Sequence, residues 1–329
     1  MPATYRITLE VRSRLATPLA ADTLWGHLAW GMRWSRGEAA LEQWLASYGS
    51  GEPPLALSDP MPSGFFPRPV LPPQALPERR PSDADHDARK KIDKAAWIAH
   101  EDWAACRASL STATLFAALS RGQAAKRVPL AVAEGTVTHA GVNRFTGGTA
   151  QEGGGLLFAS DEVFHAVRTA RYDVWAQTTM DAGSLQELFD VGLSGGYGRD
   201  GATGAGDVRV VAVERADLPA VDAPNAGVVL GPALPRPVDP AAGFFHVGVR
   251  AGRLGGDFAA GATPSGSTER QKRGVCCLLR GSVLLAAPPP PLVGGLVERV
   301  HEDPAIRHYA IGLLLPCRLD ASVAQEVGS

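Results

Sequence analysis

The sequence predicts an α+β protein built from two tandem ferredoxin-like units, the second of them degenerate. In the first 214 residues, strand and helix patterns follow one another in the order β-α-β-β-α-β once insertions are set aside, which is the order of a split βαβ unit. In the remainder, strand patterns recur while helical patterns are weaker. We therefore predict a first unit at 1–214, a linker at 215–242 and a second unit at 243–329.

The first strand and the two helices after it have clear periodic patterns. Residues 5–11 alternate between apolar and polar side chains, the period of a half-buried strand. Asp22 or Thr23 is predicted to cap a helix with an apolar face, and 41–48 have the apolar spacing of a second helix. These patterns predict the opening β-α segment of the first unit.

An insertion is predicted at about 50–130. Ten prolines lie between Pro53 and Pro81, and six lie between Pro219 and Pro240 in the predicted linker. Because proline lacks an N–H and fixes φ, both segments are predicted to be extended connections and not central strands. The apolar and proline-rich residues 53–73 fit a docking surface for another subunit and an intramolecular brace equally well.

The rest of the insertion and the remaining strands follow from local patterns. Residues 83–107 have helical apolar spacing and predict one inserted helix. Strands are predicted at 135–141 and 155–159, and the loop between them, about 141–155, is predicted to be the tip of a protruding β-hairpin thumb. A strand at 172–176, a helix opened by a capping box at Ser184 and a strand at 207–213 complete the first unit. The second unit has strand-like segments at 244–250, 275–285 and 308–315.

Composition excludes several classes of protein. The chain has 32 Lys and Arg against 34 Asp and Glu, so it is not a polycation that holds nucleic acid by bulk charge. Basic residues are nevertheless concentrated in 1–36 and in 250–280. The four cysteines form no CxxC pair, so we expect no disulfide framework, no structural metal and no cofactor. The sequence begins without a signal peptide and has no apolar run long enough to cross a membrane, so a cytoplasmic location is expected.

The densest local signal is a glycine-rich loop at 192–206, which contains seven glycines. It includes a GxGxxG and, around Ser194, a GxSxG, but each of these motifs requires a strand before it and a helix after it. Here a helix comes first and a strand follows, which disfavours a nucleotide enzyme and a hydrolase. The remaining interpretations are a backbone cradle for a phosphodiester, with help from Tyr197, Arg199 and Thr203, or a flexible surface loop.

Two further short motifs have simpler interpretations. The Gly255–Phe258 turn resembles the GGDEF-type turn of nucleotide cyclases, but it lacks the adjacent second carboxylate that two-metal chemistry requires. His86-Asp87 lies in an Asp-rich polar stretch without a second such pair. We interpret the first as a turn and the second as part of a solvated linker.

The glycine-rich loop also resembles a family pattern. Gly196-Tyr197-Gly198, five residues and then Gly204 fit the G-hydrophobic-G-x5-G loop of the RAMP superfamily of CRISPR-associated proteins, which have ferredoxin-like (RRM-like) folds. More specifically, the chain resembles the Csm4-type RAMP subunits (Cas5-like group) of type III-A CRISPR effector complexes. The resemblance covers almost the full length, apart from an enlarged stretch at 73–89 and the tail after Pro316. Its motifs lie at 17–30, 53–62, 65–72, 90–98, 142–158, 194–206, 252–259 and 306–316.

The resemblance implies a non-catalytic RNA-binding subunit in antiviral defence. Such subunits anchor the 5′ handle of the crRNA and bridge the large polymerase-like subunit to the backbone RAMP subunit. The resemblance therefore implies that the chain interacts with target RNA only indirectly. Together with the basic segments it predicts one set of RNA-binding residues, with bases stacking on Tyr197 or Tyr309. The set is Arg12, Thr17, His27, Arg68, Asn143, Arg144, Thr146, Gly147, Gly148, Gly196, Tyr197, Gly198, Arg199, Thr203, Gly204, Arg253, Lys272, Arg273 and His308.

An alternative function stays open at this point. In RAMP relatives that cut precursor crRNA without metal, a histidine near the first helix acts as general base, and His27 lies on the predicted first helix. A lone helical histidine is more often a packed residue or a phosphate contact, and the sequence identifies no catalytic partner for it. The alternative is therefore a metal-independent RAMP endoribonuclease.

Overall fold

The computed structural model describes residues 2–49, 51–73, 89–141, 157–259, 261 and 263–325, without the side chain of Ala202. It is a mixed α/β fold with several antiparallel sheets. The helices are α1 (Ala21–Arg36), α2 (Glu38–Ser47), α3 (His100–Cys106), α4 (Thr112–Ala124), α5 (Ala182–Leu193) and α6 (Ala321–Gln325). The strands of the first half are β1 (Ala3–Val11), β2 (Leu55–Leu57), β3 (Met61–Pro62), β4 (Phe65–Pro67), β5 (Trp97–Ala99), β6 (Val132–Ala140), β7 (Leu157–His165), β8 (Ala170–Thr178) and β9 (Val208–Arg215). Those of the second half are β10 (Ala226–Val229), β11 (Gly243–Phe244), β12 (Val247–Arg250), β13 (Val275–Leu278), β14 (Val283–Leu285), β15 (Leu292–Val297) and β16 (His308–Cys317).

The first sheet has the strand order β2-β8-β1-β9, and every neighbouring pair is antiparallel. The predicted alternation of β1 is confirmed, since Ile7 and Leu9 are fully buried. Helices α1 and α5 contact each other closely where Gly31 meets Gly192. A Cβ on Gly31 would lie 2.9 Å from the Gly192 Cα, so the two backbones approach within a distance that side chains would prevent.

The proline-rich segment contributes a strand to this sheet. Leu55 and Leu57 of β2 are fully buried and pair with β8, so the prediction that 53–81 contains only connections is wrong here. A three-residue strand at a sheet edge fits between the flanking prolines because only one of its sides requires N–H donors. Met61 and Phe66 are also fully buried, which makes 53–73 an intramolecular brace and not an open docking surface.

The single helix predicted at 83–107 is wrong. Residues 89–93 are helical, but Trp97–Ala99 forms β5, which pairs with β4, and α3 begins only at His100; residues 74–88 lie outside the described part of the chain. The strand pairing buries Ile98 opposite Phe66. This tertiary contact outweighs the local helical spacing.

Both predicted helix caps are displaced. The N-cap of α1 is Ala20, and Asp22 lies in the first turn. The Ala21 N–H is instead bound by the carboxylate of Asp59, at 2.9 Å. Helix α5 is capped by Asp181, whose carboxylate accepts the Ser184 N–H at 2.9 Å. Asp181 occupies, three residues earlier, the N-cap position predicted for Ser184, so the helix begins sooner.

The second sheet has the order β11-β14-β10-β16-β15. Its central strand β10 is fully buried and lies within the predicted linker 215–242, so this part of that segment is not a connection. The four residues of β10 lie between Pro224 and Pro232 and include no proline, which leaves every N–H free for pairing. The strand-like segments 244–250 and 275–285 are each divided into two strands.

One hydrophobic core runs through both halves. Tyr309 of β16 stacks on Trp25 of α1 with ring centroids 5.7 Å apart, and its hydroxyl donates to the carbonyl of Leu57 at 3.0 Å. The two sheets are therefore parts of one packed body. Within the described ranges, no helix is both long and apolar enough to span a membrane, and no three His, Cys, Asp or Glu side chains are grouped to hold a metal ion.

Candidate nucleic-acid interface

The two tyrosines predicted to stack on RNA bases are buried. Tyr197 and Tyr309 are each 0% exposed. The Tyr197 hydroxyl accepts the Ala20 N–H and donates to the Pro18 carbonyl, both at 2.9 Å. Burial raises the pKa of both phenols, which keeps them neutral donors. The stacking prediction is therefore wrong for both residues, because neither ring presents a face to a ligand.

The backbone N–H groups of the glycine-rich loop bind within the chain. Tyr197 N–H donates to Gly206 O at 2.8 Å, and Gly198 N–H donates to His27 Nε2 at 2.9 Å. Arg199 N–H donates to the Thr17 hydroxyl at 3.0 Å. These donors were predicted to face a phosphodiester, and they are instead used to hold the loop against the start of α1.

The glycines of this loop have two different roles. A Cβ on Gly198 would lie 2.5 Å from the Thr17 Cβ, one on Gly201 would lie 2.6 Å from Gly195 O, and one on Gly206 would overlap Tyr197 O. These three glycines, together with Gly196 (φ +87°), are required by the chain's own packing. Gly204 differs, since its φ is +86° but a Cβ there would meet open space.

His27 holds the loop through its ring. Nε2 accepts the Gly198 N–H, and burial lowers the pKa of the imidazole, which favours the neutral form that can accept. A general base would need this same lone pair for a substrate hydroxyl. The geometry therefore makes His27 a positioning residue for the loop and disfavours it as the base of an endoribonuclease.

Several predicted residues near the loop do reach the surface. The Arg199 side chain is 45% exposed, with Nη2 3.3 Å from Ala16 O and Nε 3.3 Å from the Asp200 carboxylate. Thr203 is exposed, and its hydroxyl donates to Asp200 O. Arg12 is exposed and donates to Glu10 at 2.7 Å. These three side chains are therefore accessible at the surface.

Other predicted residues are engaged elsewhere. Arg68 Nη1 donates to the carbonyls of Ile92 and Asp93, at 2.9 and 2.7 Å, so it binds the end of helical residues 89–93. His308 is 1% exposed, and burial lowers its pKa to about 4. Neither group is placed as a surface RNA contact, and the prediction that His308 touches RNA is wrong in this structure because its ring is covered.

The second basic segment lies partly on the surface. Arg253 and Arg273 are exposed, and Arg273 Nη1 donates to Arg299 O at 3.2 Å. Lys272 is half-buried with Nζ 3.4 Å from Arg307 O, and burial lowers its pKa. This segment can present two guanidinium groups to a polyanion.

Sequence reasoning missed two ion pairs, each between a buried carboxylate and a partly exposed arginine, that join the halves of the molecule. Arg250 binds Asp22 through two contacts of 2.6 and 2.9 Å, and Arg280 binds Asp59 at 3.1 Å. Burial raises the pKa of Asp22 and Arg250 lowers it, with a net decrease. The partners are separated by more than two hundred residues, so no local pattern could have shown them.

Strands β6 and β7, which flank the predicted thumb, pair along their whole length, and we call this pair the hairpin. It is anchored near the glycine-rich loop, because Leu15 and Val163 exchange backbone hydrogen bonds of 3.0 and 2.8 Å. Arg14 Nε lies 2.6 Å from the carboxylate of Glu162, which is fully buried. The predicted tip residues lie outside the described part of the chain: Asn143, Arg144, Thr146, Gly147 and Gly148.

Residues 12–17 connect the hairpin to the glycine-rich loop, and we call them the anchor segment. Arg14 O accepts the Gly206 N–H at 2.8 Å, while the Thr17 hydroxyl accepts from Arg199. The same segment pairs with β7. The hairpin and the loop are therefore both fixed to one short stretch of chain.

Comparison with known proteins finds no matching protein-family model and no matching curated protein. Solved structures do match. A chain from the crystal structure of a Csm1–Csm4 cassette in complex with pppApA is 13% identical with a TM-score of 0.53, and the match covers 96% of this chain and 99% of that one. The same cassette in complex with cA4 gives 13% and 0.53, over 95% and 98%.

A third structure contains a different partner. A chain from the Csm3–Csm4 subcomplex of the type III-A CRISPR-Cas interference complex is 12% identical with a TM-score of 0.51, over 94% of this chain and 99% of that one. Csm4 is the component common to all three structures. At these identities the similarity establishes the fold alone: the chain has a fold similar to that of chains in these Csm4-containing structures, which is consistent with the sequence resemblance.

Proposed function

We propose that this chain is a non-catalytic crRNA-binding subunit of a type III-A CRISPR effector complex. It anchors the 5′ handle of the crRNA and bridges the large polymerase-like subunit to the backbone RAMP subunit. The observation that supports this most is the similarity of fold over nearly the whole chain to structures that contain Csm4 with Csm1 or with Csm3. The ordered motifs along the sequence support it independently.

The proposal includes the tandem ferredoxin-like architecture, with units at 1–214 and 243–329. For the first unit, the supporting observation is the strand order β2-β8-β1-β9 with α1 and α5 between its strands. An all-antiparallel sheet with two such crossover helices is the arrangement of a split βαβ unit. The second sheet combines strands of 243–329 with β10 from the segment 215–242, and α6 is the one α-helix among the described residues of 243–329, so we propose that the second unit is degenerate.

The RNA contacts are assigned to groups that the fold leaves accessible. Arg12, Arg199 and Thr203 lie around the anchor segment, and Arg253 and Arg273 lie in the second basic segment. Guanidinium and hydroxyl groups of this kind bind phosphate oxygens and fix register. The predicted thumb tip, with Asn143 and Arg144 in its sequence, is the third segment to which we assign RNA contacts.

The second half of this chain has exposed apolar side chains that a protein partner can cover. Val247 and Val249 alternate along β12 and are 57% and 70% exposed, and the nearby Phe245 is 42% exposed. Exposed apolar side chains that share one strand are typical of a surface covered by another protein. We assign contacts with the neighbouring subunits to this half of the molecule.

Co-purification tests the proposed function. The chain is expressed with its operon and isolated by a tag on this subunit, and bound nucleic acid is sequenced. We expect a small RNA of uniform 5′ end, together with the large and backbone subunits. Recovery of the other subunits with no such RNA would contradict handle binding, and recovery of the chain alone would contradict the bridging role.

Incubation of the purified chain with repeat RNA in EDTA tests the endoribonuclease alternative. We expect no site-specific cleavage, because the His27 lone pair is used by Gly198. Cleavage that disappears in His27→Gln, in a variant that remains folded, would establish the alternative.

A further inference from the structure

Two stacked rings lie on the surface of the hairpin. His139 of β6 and Phe158 of β7 are opposite each other in the strand pairing, and their ring centroids are 5.1 Å apart with planes inclined by 15°. Phe158 is 54% exposed. The hairpin thus has an aromatic pair with an accessible face at the end next to the predicted thumb tip.

A buried polar network holds these rings in place. His139 Nε2 lies 2.9 Å from the Ser160 hydroxyl and 3.2 Å from Glu162 Oε1. The second carboxylate oxygen of Glu162 lies 2.6 Å from Arg14 Nε in the anchor segment. Since Ser160 and Glu162 are both buried, the imidazole is held on one edge and supports the phenyl ring in a fixed orientation.

Phe158 and Phe164 lie on the same face of β7 as Ser160 and Glu162, and this face is covered only at its middle. Ser160 and Glu162 are buried while Phe158 and Phe164 are exposed, at 54% and 37%. Folding alone favours the opposite arrangement, because burial of a phenyl side chain stabilises a protein and burial of a carboxylate costs free energy. An exposed ring whose neighbour is fixed by buried polar groups is the kind of surface on which an unpaired base can stack.

We propose that His139 and Phe158 form a stacking platform for an unpaired RNA base. This inference rests on the proposed RNA-binding function and names residues outside the set predicted from the sequence. Tyr197 and Tyr309 are buried, so the stacking contacts expected of a single-strand RNA site must come from other rings. The platform is attached through Glu162 and Arg14 to the segment that also holds Arg199, which places base stacking and a phosphate contact on one rigid support.

A stacking measurement with variants of the full-length chain tests the platform. The probe is a short single-stranded RNA of the repeat 5′ handle in which one base at a time is replaced by 2-aminopurine, whose fluorescence falls when it stacks. We expect wild type to quench one position strongly. We expect Phe158→Ala to lose that quenching and to bind about tenfold more weakly.

Three matched variants separate stacking from other effects. Phe158→Trp keeps an aromatic face and is expected to bind as wild type. Phe158→Leu keeps apolar area without a ring and is expected to behave like the alanine variant. Trp34→Ala removes an aromatic ring of similar exposure, 50%, from α1 and is expected to change neither affinity nor quenching.

The possible outcomes distinguish this inference from the proposed function. If wild type binds the probe and Phe158→Ala binds it equally well with the same quenching, the platform is wrong while RNA binding stands. If Phe158→Ala leaves RNA binding intact but loses another subunit in co-purification, the ring is a protein contact and the platform is also wrong. If wild type binds no RNA, the proposed function fails and the platform fails with it.

Discussion

The glycine-rich loop and the β6–β7 hairpin are both rich in candidate RNA-binding groups, but they use those groups in opposite ways. In the loop, the aromatic ring of Tyr197 is buried and the backbone donors bind within the chain. In the hairpin, the charged Glu162 is buried and the aromatic Phe158 is exposed. The difference shows that a high density of glycine signals close packing of the chain on itself as readily as close approach of a ligand.

The largest expected effect is a loss of stability in the glycine-rich loop. Two glycine variants distinguish the cost of a steric clash from the cost of a positive φ. Gly206→Ala places a Cβ against Tyr197 O at a φ of +71° and is expected to lower the free energy of unfolding by about 3 kcal/mol or more. Gly204→Ala has a similar φ of +86° but open space, so its cost is expected to be about 1 kcal/mol. Urea-induced unfolding measures both. Equal losses would show that conformation, and not the contact with Tyr197, makes glycine necessary in the loop.

The second prediction concerns the helix contact beneath the loop. Gly192→Ala would place a Cβ 2.9 Å from His27 O, and we expect a loss of about 2 kcal/mol as α1 and α5 separate. Gly26→Ala on α1 is the control, because a Cβ there meets nothing within 4 Å and helix propensity favours alanine by about 0.5–1 kcal/mol. We expect the melting temperature to fall in Gly192→Ala and to rise in Gly26→Ala. An unchanged melting temperature in Gly192→Ala would show that the contact between α1 and α5 can relax.

The third prediction uses pH to test the role of His27. Burial lowers its pKa below 6.5, so the folded state binds fewer protons than the unfolded state. The stability that neutral His27 supplies is therefore full above pH 6.5 and falls as pH decreases from 6.5 through the lower folded pKa. Unfolding of wild type and His27→Gln between pH 7.5 and pH 5 should show a shallower decline in the variant. Parallel curves would mean that His27 titrates normally.

The smallest expected effect is on the salt dependence of RNA binding, and it is tested by replacing one arginine in each region. Each phosphate contact that is lost reduces the slope of log affinity against log salt by about one. The Arg199 guanidinium already contacts Asp200 and Ala16 O, so Arg199→Ala is expected to change the slope by less than Arg144→Ala in the predicted thumb tip. Filter binding of a handle RNA over a range of salt concentrations measures both slopes. A larger change for Arg199 would assign the main phosphate contact to the loop.

Sequence patterns predicted the long elements well and the short ones poorly. β1, α1 and β16 were predicted because nine or more residues of amphipathic or apolar pattern identify an element locally. β2, β5 and β10 have only three or four residues each. β2 and β10 are flanked by prolines, and β5 lies in a segment whose apolar residues have helical spacing. Such strands are decided by their distant pairing partners, which a local pattern does not contain.

The sequence by itself determined the order of the motifs, the places of the glycines and the absence of a bulk positive charge, because these are properties of the chain before it folds. Only the tertiary structure decided which rings face solvent. Tyr197 and Phe158 are both aromatic residues beside glycine-rich segments, yet one is 0% and the other 54% exposed. Tyr197 is held inside by Pro18 and Ala20, and Arg14 is the distant partner of Glu162 on the strand that carries Phe158. Contacts between residues so far apart along the chain form only when the sheets and helices pack together.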